Sequence, residues 1–384
     1  MDFSDKFKFR ERYSHVRENE DGIILIDYMV QNFSRFDRMR WLEKIAGNRI
    51  FVNGKKASAD WKLKKHDRVS LYEDLQAEPS ANLSYKTVYE DELIKVDNKY
   101  TLNKGGKFMS SADVAFINTC KDILENGSWE KDEGVRPKWA DGTPAYTKKK
   151  FGVVNRYDLE KEFPLITIRP IKLSVAVDEI LWIWQKKSNN IHDLNSHIWD
   201  LWADENGSIG KAYGYQLGVK HQYKEGMFDQ VDKVLYDLKN NRASRRIMTN
   251  LYNFQDLHEM ALYPCAYSMT FNVTEGRLCA ILNQRSQDML AANAFNVAQY
   301  AALVYMFAQV SGLVPGELVH VIADAHIYDR HIPIVEELIK RQAYPAPKVE
   351  LDKSITNFYD FTPESFKVEN YQHGEKIGKI EMAI

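Results

Sequence analysis

ALYPCAYSMTFNVTEGRLCAILNQRSQD, residues 261–288, decides how the rest of the chain is read. AYSMTFNV and LCAILNQRS are rich in β-branched and aromatic residues. Thr274-Glu275-Gly276-Arg277 between them has the composition of a turn, so the stretch predicts an antiparallel hairpin. Helical patterns surround it. LSVAVDEILWIWQKK before it is strongly apolar, and FDQVDKVLYDLKNN is amphipathic. After it, NVAQYAALVYMFAQVSG reads as a buried helix ended by Gly312, and HIPIVEELIKRQ as a further helix. FKVENY and KIEMAI in the tail look like short strands. Strands and long helices interleave from Phe151 onward, which predicts an α+β domain: a mixed sheet with packed helices.

Unusual chemistry gathers at the ends of the hairpin. Cys265 follows a proline at a strand start, and Gln284, Arg285, Ser286 and Asp288 close the second strand. ADAHIYDRH adds Asp324, His326, Tyr328 and His331, and NNRASRRIM places Arg242, Arg245 and Arg246 within five residues. Each has a bland reading: an inert core thiol, an exposed strand end, a polar loop, a solvated charge cluster. A nucleophile with several arginines and hydrogen-bonding groups instead suits attack by a thiolate on an anionic substrate.

The remainder bounds the answer. The chain has 384 residues, which suggests two or three domains. Lys and Arg total 52 against 54 Asp and Glu, which argues against a wholesale nucleic-acid coat. Three cysteines, Cys120, Cys265 and Cys279, exclude a disulfide scaffold and offer no paired zinc spacing. The charged start MDFSDKFKFR has no apolar core of a signal peptide, and no uncharged apolar run reaches 18 residues. The expectation is a cytoplasmic protein, in a reducing compartment, with no membrane span. SSADVAFINTCKDILENG predicts a helix opening the larger domain, and WEKDEGVRPKWADGTPAYTKKK a long loop. LQAEPSANLSY reads as a linker, and KTVYEDELIKVDNKYTL as a hairpin or extended arm. Expected boundaries are 1–80, 81–109 and 110–384.

Taken in order, EFPLITIRPIKL, DEILWIW, HIWDLWADENG, GKAYGYQLG, SRRIM, MALYPCAY, QRSQDM, AFNVAQYAALVYMFAQVSG and DAHIYDRHI resemble the blocks of the thymidylate synthase family, which includes the deoxypyrimidine hydroxymethylases. VRPKWADGTPAYT and the tail NFYDFTPESFKVENYQHGEKI look closest to the Bacillus-type synthases. The resemblance covers residues from about 110 to 384 and implies a thymidylate-synthase-like fold. It implies the following roles. Cys265 is the nucleophile that adds to C6 of dUMP, making C5 nucleophilic. Arg285 lies near thiolate and phosphate and lowers the thiol pKa. Arg245 and Arg246 reach the partner's phosphate across a two-fold interface, implying a homodimer with shared sites. Ser286 and Gln284 contact substrate, His326 and Tyr328 the sugar hydroxyl, and Asn296 the base edge, where an amide suits uracil. Glu179 organises proton transfer and Tyr213 assists proton removal from C5. Asp288 holds the pterin of 5,10-methylenetetrahydrofolate, and Trp199 and Trp202 flank the folate. No metal is implied. Arg136 stands in for the arginine of the family's mobile loop.

Several positions depart from the synthase pattern. Ala291-Ala292-Asn293-Ala294 replaces Leu-Gly-x-Pro, Ala323 replaces a glycine, and Tyr252-Asn253-Phe254 replaces Trp-Asn-Pro. Known hydroxymethylases depart in these same blocks, so the resemblance narrowly favours 5-hydroxymethyl-dUMP as product, with dTMP as the alternative.

Residues 1–80 resemble the S4-like module at the front of pseudouridine synthases, through RMRWLEKIAGNRIFVNGKKASADWKLKKHDRVSLYE. The 35–68 stretch holds eleven Lys/Arg against four Asp/Glu, a basic patch suited to RNA contact. A recruited module serving stability or oligomerisation is the competing reading. The His-Arg-Leu-Asp block of those synthases is absent from the sequence, which argues against RNA modification.

Overall fold

The structure is a computed structural model, and it describes residues 9–33, 36–47, 49–74, 94–96, 100–102, 109–132 and 134–384. The chain divides into two compact units, Met1–Tyr89 and Glu90–Ile384. The predicted linker at 75–85 lies outside the described residues. Of the predicted arm, Ile94–Val96 pairs antiparallel with Tyr100–Leu102.

The smaller unit is α+β. Its strands Phe9–His15, Arg68–Asp74, Ile50–Val52 and Lys55–Lys56 form one antiparallel sheet in that order. The first of these strands was hidden by its charge, since no apolar alternation marks it. Helices Leu25–Asn32 and Arg38–Ala46 pack Leu25, Tyr28, Trp41 and Ile45 against Ile50, Val52 and Val69. Asp37 caps the basic helix by accepting from the Arg40 amide at 2.9 Å.

In the larger unit we label strands β1 (Ser128–Glu130), β2 (Thr147–Asp158), β3 (Ile247–Asn250), β4 (Ala266–Thr274), β5 (Arg277–Asp288) and β6 (Val314–Tyr328). The helices used below are α1 (Ser111–Asn126), α2 (Leu173–Trp184), α3 (Gln230–Asn240) and α4 (Asn293–Val310). One mixed sheet runs β3-β4-β5-β6-β2-β1, with β5 and β6 parallel and the other neighbours antiparallel. The predicted hairpin is β4–β5. Pairing continues to Thr274 opposite Arg277, so the turn is Glu275-Gly276 alone, with φ of 52° and 76°. Positive φ at both residues matches the right-handed strand twist, and glycine takes the second position without strain.

Leu278, Ala280, Leu282 and Gln284 alternate onto the buried face of β5, which α4 covers, while Trp184 of α2 packs on Phe271 of β4. α4 is buried on nearly all sides. Trp184 of α2 meets Tyr300 and Phe307 of α4 edge-on at 6.4 and 5.9 Å. The opposite face of the sheet is apolar and open: Met248, Ile281 and Val154 are 52%, 39% and 53% exposed.

Two expectations are corrected here, and one bland alternative falls. ADAHIY is no loop but the end of the 15-residue strand β6. The predicted loop is irregular only in its middle, among the described residues of 131–146: Trp129 and Glu130 lie in β1, and TKKK opens β2 and hydrogen-bonds to β6 and β1. FKVENY contributes the strand Phe366–Glu369, whereas KIEMAI forms none: its last residue instead exchanges backbone hydrogen bonds with Lys138.

Candidate active site

The hairpin geometry brings the two polar ends of β4 and β5 together. Ala266 pairs with Gln284, so Cys265 stands beside Arg285, and the Arg285 amide donates to the Cys265 carbonyl at 2.9 Å. The Arg285 guanidinium donates to the Tyr263 and Pro264 carbonyls at 2.7 and 3.1 Å and reaches Cys265 Sγ at 3.6 Å. Two carbonyl anchors fix the fork, so the cation cannot drift from the sulfur. Tyr213 approaches from the other side and its hydroxyl accepts from the Cys265 amide at 3.0 Å. Tyr213 holds φ at 44° ahead of the short helix Gly214–Gly218. A Cβ on Gly214 would meet the Ser188 carbonyl oxygen at 2.2 Å, so backbone passes too close there for any side chain.

The expectation that Arg285 leaves the thiol with a lowered pKa is corrected. Burial pushes the Cys265 thiol up; Arg285, the contact with Tyr213 and Arg136 pull it down without cancelling that rise. The balance favours the thiol form of Cys265, with Arg285 and Arg136 placed to favour its thiolate. Burial also raises the Tyr213 hydroxyl well above its ordinary value.

Behind the thiol lies a polar network through the core. His320 Nε2 meets Gln284 Oε1 at 2.7 Å, and Gln284 Nε2 donates to Asn296 Oδ1 at 3.1 Å. Asn296 Nδ2 donates to Gln299 Oε1 at 2.9 Å, and Gln299 Nε2 to Glu179 Oε2 at 2.5 Å. Trp199 Nε1 closes the chain onto Glu179 Oε1 at 2.9 Å. Glu179 has no cation among these partners, and burial pushes its carboxyl up to about 7. A carboxyl titrating there can take or give a proton near neutral pH. Burial holds His320 neutral, at about 3. Trp199 also sits edge-on to Tyr213 at 5.1 Å and to Trp202 at 5.6 Å, forming an aromatic wall.

A second cluster sits at the ends of β5 and β6. Asp288 Oδ1 accepts from the Leu290 and Ala291 amides at 2.9 and 3.0 Å, so it caps the departing loop. His326 is buried, and its Nδ1 meets Asp324 Oδ1 at 2.8 Å, which leaves Nε2 for a ligand. Tyr328 stands 5.1 Å from His326, ring to ring, and burial raises its hydroxyl to about 12. Ser286 pairs with Asp324 in the β5–β6 ladder, half-exposed on the same edge. Arg136 is exposed on the 131–146 loop, and its charge acts on both Cys265 and Tyr328.

Arg245 and Arg246 are not brought to this cluster. Both lie exposed on the turn between α3 and β3. Reading the sequence missed Gln299, His320 and Gln287, whose Nε2 donates to Asn296 Oδ1 at 3.3 Å, as network members. Gln299 had a signal, being an amide within the apolar run of α4, three residues after Asn296.

A half-buried thiol flanked by a fixed guanidinium, with a neutral-range carboxyl behind it, is the arrangement expected of an enzyme whose thiol attacks an anionic substrate. The comparisons narrow that class. The thymidylate synthase family model matches residues 114–384. Thymidylate synthase 1 of Bacillus subtilis is 43% identical over 274 residues, covering 70% of this chain and 98% of the relative. The thymidylate synthase of Bacillus licheniformis is 44% identical over 281 residues, covering 72% and 100%. The solved thermostable thymidylate synthase A of Bacillus subtilis superposes with a TM-score of 0.68 at 42% identity, covering 71% of this chain and 99% of that one. The chain belongs to the thymidylate synthase family and is a one-carbon transferase. The family binds dUMP and takes 5,10-methylenetetrahydrofolate as cosubstrate. Among the described residues no helix is long and apolar enough to cross a membrane.

Proposed function

We propose that this enzyme converts dUMP and 5,10-methylenetetrahydrofolate to dTMP and dihydrofolate. The name carried by relatives more than 40% identical across their whole length supports this reading. It takes precedence over the hydroxymethyl product narrowly favoured from sequence. Cys265 adds to C6, C5 attacks the methylene, and tetrahydrofolate is then eliminated as the C5 proton leaves. Hydride from the folate reduces the exocyclic methylene, and expulsion of the Cys265 thiolate releases dTMP.

In this reading Arg285, Ser286 and the partner's arginine pair hold the phosphate. Asn296 offers both a donor and an acceptor, as the uracil edge requires; a carboxylate would lack the donor. His326 and Tyr328 take the sugar hydroxyl, with Gln284 steadying Asn296. Glu179 relays protons at the base, and Tyr213 assists removal of the C5 proton. Asp288, Trp199 and Trp202 hold the folate. The exposed apolar sheet face supports a homodimer, which would carry the exposed Arg245 and Arg246 to the neighbouring site. A thiol nucleophile suits the reducing cytoplasm.

One observation favours the hydroxymethyl product as a second reading. Ala291 and Ala292, which stand where synthases carry Leu-Gly, lie in the loop that Asp288 caps by accepting the Ala291 amide, so the departure sits beside the side chain assigned to the folate. For the smaller unit we propose weak contact with RNA through its exposed cations, among them Arg38, Arg40, Lys55, Lys56, Lys62 and Lys64. dUMP labelled with tritium at C5 tests the shared chemistry. Release of label should require methylenetetrahydrofolate and Cys265; release without either would sink the proposal.

A further inference from the structure

Arg330 stands where three segments distant in sequence meet: the 131–146 loop, the end of β6, and the last residues of the chain. Its Nη2 donates to Asp141 Oδ2 at 2.6 Å and Thr143 Oγ1 at 2.9 Å. Its Nη1 donates to both carboxylate oxygens of Glu381, at 3.1 and 3.2 Å. The same guanidinium lies 4.9 Å over the Trp139 ring. Neighbouring contacts run the same way. Lys138 and Ile384 exchange both backbone hydrogen bonds, at 2.8 and 3.0 Å. Trp139 Nε1 donates to Asp329 Oδ1 at 3.1 Å, and His331 Nε2 donates to the Glu381 carbonyl at 2.8 Å.

One exposed ion pair fixes little, because it orders two flexible chains for one weak attraction. Here one planar fork serves two carboxylates and a ring, so ordering it once positions all three partners. The loop it holds carries Arg136 five residues before Asp141. Arg136 is exposed, and no hydrogen bond described above places it, so its position follows from that of the loop.

We propose that Arg330 is a positioning residue that clasps the 131–146 loop to the C-terminal segment and thereby presents the Arg136 cation to Cys265. The proposal rests on Cys265 as nucleophile and Arg136 as its loop cation. Removing the clasp lets Arg136 swing away from the thiol, where distance and screening weaken its pull.

The test is the pH dependence of Cys265 alkylation by iodoacetamide, followed on the Cys265 peptide in the full-length protein. Arg136→Ala should move the midpoint up by about 0.3–0.5 pH units. Arg330→Ala should move it nearly as far, and the double variant no farther than Arg136→Ala alone. Arg330→Lys keeps the charge but not the fork and should also move it up. Asp141→Asn and Glu381→Gln each cut one arm and should give smaller shifts of the same sign; they serve if Arg330→Ala fails to fold. A wild-type profile for Arg330→Ala and both single-arm variants, beside a shifted Arg136→Ala, would overturn the clasp. So would additive shifts in the double variant, or full rescue by Arg330→Lys. An unshifted Arg136→Ala would overturn it through the loop cation instead, and lost label release in Cys265→Ser shows separately whether the nucleophile reading stands.

Discussion

The two units treat charge in opposite ways. The larger one takes Asp113, Arg169, Glu179, Gln284, Gln299, His320 and His326 into its interior. In the smaller one, Ser70 is the single buried polar side chain among the described residues, and cations such as Arg38, Arg40, Lys55, Lys56, Lys62 and Lys64 face water. Burying a polar or ionisable group costs free energy unless partners compensate it, whereas a solvated lysine costs almost nothing. A buried polar network therefore marks where selection has kept something expensive, while surface charge carries little information about role. The same contrast holds inside the larger unit. Arg156 with Glu317, an ion pair at the surface, stands apart from the site, while Glu179 at its centre keeps a carboxyl with no cation among its partners.

The contrast can be broken by substitution. The largest effect should come from Cys265→Ser, which removes the nucleophile and should lower kcat by ~10³-fold or more in a steady-state assay. Retained turnover would dismiss the buried cluster as the site. Glu179→Gln keeps the hydrogen bond to Trp199 but cannot titrate, and should cost about 10²-fold in kcat. It should also flatten the limb of the kcat–pH profile near pH 7.

The same carboxyl gives a stability signature with a definite sign. Its folded pKa, about 7, lies above the ordinary 4.5, so the native state holds a proton that the unfolded chain has released. Its contribution is full below pH ~4.5 and is lost as pH rises through about 7. Asp113, buried and raised to about 6, acts in the same direction over a lower window. Glu179→Gln should therefore melt higher than the parent at pH 8 and about equally at pH 5. A gap that widened on acidification would show that the carboxyl is compensated after all.

Arg245→Ala tests whether a site spans two copies. Alone it should raise KM for dUMP by about tenfold or more. Mixed with Cys265→Ser after reversible dissociation, it should regain activity, since one site in each hybrid dimer is then intact. Absence of complementation would confine each site to one chain. The smallest effect is expected from the smaller unit. Replacing Lys55 and Lys56 by Ser should leave kcat within about twofold while weakening retention on RNA at low salt. No retention by the parent chain would remove the RNA reading.

Much of this was legible before the structure. The β4–β5 hairpin announced itself because Glu-Gly between β-prone runs admits few other conformations. α2 and α4 were equally plain, since apolar residues at helical spacing have few alternatives. Cys265, Arg285 and Asn296 were legible from the order of their blocks. What stayed hidden depends on partners far apart in sequence. The end of β6 looks like a polar loop because Asp324, His326 and Tyr328 give it a polar pattern in place of an apolar alternation. Arg330 looks like a surface charge until its bonds to Asp141 and Glu381 are seen, 189 and 51 residues away. The thiol pKa was misjudged for the same reason. The nearby arginine is visible in the sequence, whereas the burial that outweighs it belongs to the fold.

The account turns most on what leaves the active site. Purified enzyme given dUMP and 5,10-methylenetetrahydrofolate should produce dTMP and dihydrofolate in equal amounts, resolved by chromatography and mass. Hydroxymethyl-dUMP with tetrahydrofolate would contradict it and place the decisive chemistry in the Ala291–Ala292 departure beside Asp288.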